Sequence, residues 1–224
     1  MLTLYTVPES LYCAKLRILL RHKGLTWREL PPPGGYGSDE YKKTVPSGSL
    51  PAMIDGDLLL ADSEAIAEYL NERYPEPPML MGDAASRGLI RQLSRFHDTR
   101  LEPAVRLLFP QMRPEQRDPG MVDAAMASIR MRLTQLEPFL ADTPCAATGQ
   151  GLTLGDCGYP ISFRWIERLS AELGSPIALP PAAAAYEIAL KEHSSVSEEL
   201  DAYRASIDAW VDRVTISHST VRKN

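Results

Sequence analysis

The segment Ser10-Leu-Tyr-Cys13 carries a hydroxyl and a thiol three residues apart. A short apolar strand precedes it, and a helix over residues 12–23 is predicted to follow. The first N–H groups of a helix have no partner inside the helix, and the helix dipole is positive at that end. A hydroxyl or thiol placed there can therefore stabilise a sulfur anion, either the protein's own or that of a bound thiol.

A second candidate binding position is the pair Asp62-Ser63, at the predicted start of another helix. The free N–H groups there suit a carboxylate, and the Ser63 hydroxyl is a further donor. Asp62 or Ser63 could equally be an ordinary helix cap, and the two roles can share one helical turn. The sequence alone leaves both interpretations open.

The residues around these two positions alternate between strand and helix patterns. Leu16, Leu19 and Leu20 keep helical spacing, and Asp55-Gly56 between two apolar runs predicts a β-hairpin. Strands are predicted over residues 2–5, 26–30, 52–54 and 58–60, and helices over 12–23, 38–43 and 62–74. Their order is βαβ-α-ββα, so both candidate positions lie at helix starts that follow strands.

Beyond residue 78 the sequence predicts helices only. The predicted helices cover 86–109, bent at Pro103, then a segment that begins after Asp118, and finally 154–173, 181–191 and 196–214. We therefore predict an α/β domain over residues 1–77, a linker over 78–86 and an all-helical domain over 87–224.

The composition is that of an ordinary globular protein. Of its 224 residues, 44% are hydrophobic and 24% are charged, and the net charge of −5 disfavours a nucleic-acid partner. Cys13, Cys145 and Cys157 are odd in number and lack metal-ligand spacing, so we expect neither a disulfide framework nor a bound metal. Without a signal-peptide pattern or an apolar run of about 20 residues, the expected location is the cytoplasm, with no membrane partner.

Four motifs, in this order along the chain, resemble those of the cytosolic glutathione transferase superfamily, in particular its serine-type classes such as tau and zeta. Ser10-Leu-Tyr-Cys13 is similar to a Ser-Pro-Tyr-Ser/Cys segment, and Gly48-Ser-Leu-Pro51-Ala-Met is similar to a Gly-Lys-Val-Pro-Ala-Leu segment. Asp62-Ser63 matches a Glu/Asp-Ser pair, and Leu152-Thr-Leu-Gly-Asp156 matches a helix N-capping box. The resemblance covers nearly the whole chain and implies a thioredoxin-like first domain followed by a helical, substrate-binding domain.

The resemblance implies glutathione as cosubstrate and Ser10 as the catalytic residue that stabilises its thiolate. A thiol has a pKa of about 8.5 to 9, and lowering it by about two units takes roughly 2.7 kcal/mol. A charge-assisted hydrogen bond supplies about 1.5–3 kcal/mol, and a helix N-terminus adds up to about 1 kcal/mol. The Ser10 hydroxyl and the helix N-terminus together are therefore sufficient without a general base. Tyr5, near the position of the phenol in tyrosine-type members, and Tyr12 are the alternative donors.

The other contacts to glutathione are likewise implied by the resemblance. A cis peptide bond between Leu50 and Pro51 would present the Leu50 backbone to the cysteinyl unit, which could pair with it like an added strand. Asp62 and Ser63 would bind the amino and carboxylate groups of the γ-glutamyl end. A trans proline at the start of an edge strand is the alternative for Pro51.

The chain departs from the family pattern at three positions. Leu11 replaces a proline, Val45 replaces an asparagine, and Ser49 stands where many members have a lysine. That lysine would bind the glycine carboxylate of glutathione. Lys43, or its neighbour Lys42, is the candidate replacement.

The electrophilic second substrate is expected between the Ser10 loop and the helical domain. The candidate residues for it are Tyr12, His97, Arg100 and Phe109, with Tyr36, Arg106 and Met112 as further possibilities. Arg100 and Arg106 would suit an anionic substrate such as a dicarboxylic acid. The sequence does not identify the electrophile.

Three functional classes follow from these residues. The first is a glutathione transferase that conjugates, substitutes or isomerises a small electrophile. The second is a glutathione-dependent thiol–disulfide or dehydroascorbate-type reductase that works through Cys13. The third is a non-catalytic binding protein of the same fold. The resemblance also implies a homodimer.

Overall fold

The first half of the chain folds around a four-stranded mixed sheet. The computed structural model describes residues 1–216. The strands are β1 (Leu2–Tyr5), β2 (Trp27–Leu30), β3 (Ala52–Asp55) and β4 (Leu58–Ala61). They lie in the order β2-β1-β3-β4, with β2 parallel to β1, β3 antiparallel to β1, and β4 antiparallel to β3. The predicted strands and the hairpin at Asp55-Gly56 are confirmed.

The helices of this half are α1 (Leu11–His22), α2 (Asp39–Thr44) and α3 (Ser63–Arg73), which completes the predicted βαβ-α-ββα order. Helix α1 is buried on nearly all sides, because it packs against α3 on one side and against helices of the second half on the other. Even Lys15 and Arg17 lie inside the protein. Their charges therefore need partners in the interior.

The second half is helical throughout, as predicted. It contains α4 (Ala84–Phe96), α5 (Glu102–Arg106), α6 (Pro119–Asp142), α7 (Tyr159–Glu172), α8 (Pro181–Lys191) and α9 (Ser194–Ile216). In the described residues no strand follows β4. Residues 217–224, the end of the predicted helical domain, lie outside the described residues. The domain limits at residues 77 and 86 stay a prediction.

The helix predicted over residues 86–109, with a bend at Pro103, is divided into three segments in the structure. Helix α4 ends at Phe96, a π-helical turn covers His97–Leu101, and α5 begins at Glu102. Pro103 has no N–H to donate to the carbonyl four residues earlier, so the backbone makes a wider turn just before it. Because of this turn, the side chains after residue 96 point to other sides of the helix than regular α-helical spacing would give.

The helix predicted to start at residue 154 starts at Tyr159 instead. The buried Asp156 carboxylate reaches back and accepts hydrogen bonds from the N–H and the hydroxyl of Thr153, both at 2.7 Å. Tyr186 on α8 donates to the other oxygen of the same carboxylate. Because Asp156 closes a turn in this way, residues 154–158 precede α7 rather than belonging to it.

The two halves share one hydrophobic core, and α9 closes it over α1. Arg17 on α1 donates from Nε to Glu199 Oε1 on α9 at 2.7 Å, and Arg21 Nε donates to Glu199 Oε2 at 3.3 Å. Within residues 1–216, no helix combines the length and the apolar character needed to cross a bilayer.

Candidate active site

A cavity of about 680 Å³ opens beside the start of α1. Its walls come from the N-terminus of α1, the α4–α5 region and α9. They include Ser10, Tyr12, Leu50, Arg106, Phe109 and Trp210. The structure thus brings six of the predicted residues together around one space, namely Ser10, Tyr12, Tyr36, Leu50, Arg106 and Phe109.

Ser10 is the N-cap of α1. Its backbone is extended, with φ −70° and ψ 118°, and its Oγ accepts a hydrogen bond from Cys13 N at 3.3 Å. A hydroxyl that accepts in this way still has its own hydrogen to donate. At the edge of the cavity, that hydrogen and the positive end of the helix dipole both favour an anion.

A smaller cavity of about 220 Å³ adjoins the first and shares Tyr12, Ser49, Leu50 and Asp98 with it. Asp62, Ser63 and Arg95 form the rest of its wall. The peptide bond between Leu50 and Pro51 is cis, which confirms that prediction.

The Asp62 backbone has an unusual conformation. Its φ is 90°, and no other non-glycine residue in the described chain has a positive φ. Such a conformation costs about 1–3 kcal/mol and is concentrated at ligand sites. The Asp62 side chain caps α3 by accepting from Glu64 N at 2.9 Å and Ala65 N at 3.1 Å. The capping interpretation is therefore confirmed, while Asp62 also lines the smaller cavity.

A buried ammonium lies behind the smaller cavity. Lys15, with 2% of its side chain exposed, is 2.6 Å from Glu64 Oε2 and 2.9 Å from Asp98 Oδ2. Burial alone would lower the pKa of Lys15, but the charges of Asp98 and Glu64 outweigh it and raise that pKa. Burial likewise opposes ionisation of Asp98, yet the hydrogen bond with His97 and the charge of Lys15 hold its pKa well below the usual range. The cavity wall therefore carries a permanent carboxylate.

Part of the wall of the larger cavity is aromatic. The rings of Phe109 and Trp210 lie 5.2 Å apart, and Trp165 packs behind both. Arg106 forms an ion pair with Glu102 and lies 5.6 Å from the Phe109 ring. Its charge is thus balanced by a carboxylate of the same wall.

Tyr12 lies between the two cavities and donates to Glu102 Oε2 at 3.0 Å. Burial, followed by the charges of Glu102 and Asp98, raises the pKa of Tyr12 well above its usual range. The phenol therefore stays protonated, with its hydrogen bound to Glu102. Tyr12 is placed to contact a ligand. Its hydroxyl hydrogen is already donated to Glu102, so it does not replace Ser10 as the hydrogen-bond donor to a thiolate.

Several predicted candidates line neither cavity, namely Tyr5, Lys42, Lys43, Pro51, His97, Arg100 and Met112. His97 is buried, with Nδ1 2.8 Å from Asp98 Oδ1 and Nε2 2.8 Å from Ser162 Oγ. Arg100 and Lys43 are exposed residues that line neither cavity. Tyr5, the alternative donor, packs against Tyr41 with ring centroids 5.5 Å apart. His97 is thus a structural residue in place of the predicted substrate contact.

Sequence reasoning missed Trp210, Asp98, Glu102 and Arg95 as wall residues. Asp98, Glu102 and Arg106 follow one another at intervals of four, which is a helical signal, but the π-helical turn sets where that face begins. Trp210 comes from the far end of the chain, and no local pattern connects it with Ser10.

Comparison with known proteins identifies the family. Residues 4–78 match the family model described as the N-terminal domain of glutathione S-transferase. Glutathione S-transferase Z2 of Arabidopsis thaliana is 32% identical over 166 residues, which cover 69% of this chain and 72% of that protein. The chain belongs to the glutathione S-transferase family. Its zeta-class relatives make it zeta-like within that family.

Other proteins similar to this chain carry different names. A solved structure of maleyl pyruvate isomerase, described as a bacterial glutathione S-transferase of the zeta class, has a TM-score of 0.73 and 25% identity, covering 88% of this chain and 95% of that one. A stringent starvation protein A homolog of Coxiella burnetii is 27% identical over 156 residues, covering 70% of this chain and 71% of that protein. The family membership and the two-part fold agree with the resemblance found in the sequence.

The cysteines of this glutathione S-transferase are expected to resist alkylation in the folded state. Cys13, Cys145 and Cys157 are all buried. Burial raises the pKa of each thiol, to about 11 for Cys145, despite the hydrogen bond between Ser10 and Cys13. Mass spectrometry after iodoacetamide treatment at neutral pH should find all three unmodified, and all three modified in urea. Rapid native labelling of Cys13 would contradict this.

Proposed function

We propose that this chain is a glutathione transferase that binds glutathione across both cavities and ionises its thiol beside Ser10. The observation that carries the proposal is the Ser10 hydroxyl, which caps α1, borders the larger cavity and has its hydrogen left to donate. A donor aimed at the developing anion, together with the helix dipole, stabilises a thiolate without a general base.

The smaller cavity suits the γ-glutamyl end of glutathione, which is a zwitterion. Asp62 and Asp98 supply carboxylates for its amino group. Ser63, at the start of α3, and Arg95 supply donors for its carboxylate. The backbone of Leu50, which borders both cavities, is proposed to pair with the cysteinyl unit. This arrangement would bring the sulfur to Ser10.

The larger cavity favours an uncharged, partly aromatic electrophile. Phe109 and Trp210 offer flat apolar surface, on which a planar substrate can pack. Arg106 is already paired with Glu102, and the other carboxylates of the wall, Glu9 and Asp98, are paired with Arg213 and Lys15. A substrate with two carboxylates would therefore meet no unpaired cation among these wall residues. We propose conjugation or substitution on such an electrophile as the main reaction.

A glutathione-dependent isomerisation is the second candidate. The likeness to maleyl pyruvate isomerase favours it, since the similarity extends over 88% of this chain and 95% of that protein. Isomerisation needs the same thiolate, so Ser10 would have the same role. A redox reaction through Cys13 is disfavoured, because that thiol is buried under the helix start and its pKa is raised.

Both proposed reactions use residues of a single protomer. Ser10, Asp62, Asp98 and Trp210 all border cavities formed within a single protomer. The family resemblance supports a homodimer as the assembled form. The proposed chemistry does not depend on a residue from a partner.

Steady-state assays with glutathione and two substrates test this function. We expect saturable conjugation of an aryl halide and much slower turnover of a maleyl-type dicarboxylic acid. Preferred turnover of the dicarboxylic acid would replace the main proposal by the isomerase. If neither reacts while the protein still binds immobilised glutathione, the chain is a non-catalytic binding protein. Loss of both activity and glutathione binding would contradict the proposal altogether.

A further inference from the structure

A buried hydrogen-bonded chain joins α9 to the residue before Ser10. Tyr203 on α9, of which 1% is exposed, donates from its hydroxyl to the Glu9 carbonyl oxygen at 2.6 Å. Trp165 on α7 donates from Nε1 to the Tyr203 hydroxyl at 2.9 Å. The bond between Tyr203 and Glu9 connects residues that are 194 positions apart in the sequence.

The direction of each hydrogen bond follows from the groups involved. An indole N–H can only donate and a carbonyl oxygen can only accept. The Tyr203 hydroxyl therefore receives the hydrogen of Trp165 and must give its own to Glu9. Burial raises the pKa of Tyr203 well above its usual range, so the phenol keeps that hydrogen throughout the working pH range.

The Tyr203 ring is held in place on several sides. The Trp165 ring meets it edge to face, with centroids 6.4 Å apart. The Arg17 guanidinium lies 6.0 Å from its centroid, and Arg17 is itself fixed by Glu199 at 2.7 Å. The hydroxyl thus projects from a rigid part of the core rather than from a mobile surface.

The Glu9 carbonyl and the Ser10 N–H belong to one planar peptide group. Tyr203 holds the oxygen side of this plane, and Val7 O accepts from the Ser10 N–H at 3.1 Å on the other side. The plane fixes where Ser10 Cα lies and, through it, where the side chain starts. The hydrogen bond that Ser10 Oγ accepts from Cys13 N is long, at 3.3 Å.

We propose that Tyr203 is a positioning residue for Ser10: by holding the Glu9 carbonyl, it fixes the direction from which the Ser10 hydroxyl donates to the thiolate. The inference rests on the proposed role of Ser10. It makes α9, which also supplies Trp210 to the cavity wall, a determinant of thiol ionisation as well as of the second-substrate space.

The ion pair between Arg213 and the Glu9 side chain, at 2.7 Å, is a second contact between α9 and the segment before α1. Arg213 is 60% exposed, and such pairs contribute little. The ion pair also holds the side chain rather than the peptide group. Removing it should leave thiol ionisation unchanged.

The test compares Tyr203→Phe, Ser10→Ala and the control Tyr186→Phe in the full chain. Tyr186→Phe also removes a buried phenol hydroxyl, but its partner is Asp156, and neither residue lines either cavity. Two quantities are measured for each: the ultraviolet titration of the thiolate of bound glutathione, and the pH dependence of kcat/KM with an aryl halide.

Tyr203→Phe is expected to raise the apparent thiol pKa by about 0.5 to 1 pH unit, and Ser10→Ala by about 1 to 2 pH units. Below that pKa, kcat/KM for Tyr203→Phe should fall by about three- to tenfold and recover at alkaline pH, where the thiol ionises unaided. Tyr186→Phe should lose thermal stability and keep the wild-type profile. A merely structural role for Tyr203 would lower stability without moving the profile.

The outcomes separate the two proposals. If Ser10→Ala shifts the titration and Tyr203→Phe does not, the positioning role is overturned and the proposed function stands. If Ser10→Ala causes no shift, the proposed function fails and the positioning role fails with it. Should Tyr203→Phe not fold, Trp165→Phe tests the same hydrogen bond between Tyr203 and Glu9. Without the indole N–H, the Tyr203 hydroxyl is free to rotate away from the Glu9 carbonyl. A smaller shift in the same direction would support the positioning role, and a wild-type titration would overturn it.

Discussion

Replacing Ser10 by alanine is expected to lower kcat/KM for conjugation at neutral pH by about 10- to 100-fold, the equivalent of one charge-assisted hydrogen bond. The loss should appear in kcat/KM at neutral pH and diminish at alkaline pH. The KM for glutathione should change little, because the contacts at Asp62, Ser63 and Arg95 remain. Steady-state kinetics across the pH range with an aryl halide measures both parameters.

Alanine also removes a helix cap, since Ser10 Oγ accepts from Cys13 N. That loss costs about 1 kcal/mol of stability and must be separated from the loss of the donor. Ser10→Asp is the matched control, because a carboxylate caps a helix as well as serine but has no proton to give and repels a thiolate. It should be stably folded and at least as inactive as Ser10→Ala. Ser10→Thr, which caps and donates, should keep most activity. A fully active Ser10→Asp would contradict the role of Ser10.

The parts of the site that could be predicted from the sequence are those set by local chemistry. A serine before an amphipathic run caps a helix wherever the rest of the chain lies, so Ser10 could be placed at the start of α1. Asp62 and Ser63 likewise mark the start of α3 through capping, and Asp55-Gly56 determines the hairpin. Each of these predictions used only a few neighbouring residues.

Two of the residues that the sequence misplaced, His97 and Arg100, lie within the π-helical turn. A helix of constant pitch puts a residue on a face that depends only on its number. The wider turn at His97–Leu101 shifts that relation, and it leaves Asp98 and Glu102 on the cavity wall while His97 turns into the core. Arg106, four residues after Glu102, faces the cavity with them, and Arg100 does not.

Contacts between segments that are distant in the sequence could not be predicted either. Tyr203 and Trp210 reach Glu9 and the cavity only because α9 packs along α1. The burial of Lys15 and Arg17 has the same origin: the sequence gives α1 the pattern of a basic amphipathic helix, while the fold covers both of its sides. Their partners come from β2, α3, the π-helical turn and α9, which no local spacing connects.

Replacing Lys15 by methionine is expected to destabilise the protein by about 3–5 kcal/mol at neutral pH, the usual cost of breaking a buried ion pair. Methionine fills a similar volume but leaves the carboxylates of Glu64 and Asp98, with 13% and 8% of their side chains exposed, without the ammonium between them. Urea unfolding at fixed protein concentration measures the loss. Adding Asp98→Asn to Lys15→Met should restore part of it, because one of the uncompensated charges is then removed. Lys42→Met, which breaks an exposed pair with Asp39, should leave the unfolding midpoint unchanged.

The pH dependence of this loss distinguishes charge from packing. The folded-state pKa of Asp98 is depressed, so its contribution to stability is complete above the unfolded value of about 3.9 and disappears as pH falls through the folded value. The pKa of Lys15 is raised, so its contribution is complete below the unfolded value of about 10.4. The difference between wild type and Lys15→Met should therefore be constant from about pH 5 to pH 10 and shrink below about pH 4. A difference of the same size at acidic pH would mean that methionine disturbs the packing of α1 rather than the charge balance behind the smaller cavity.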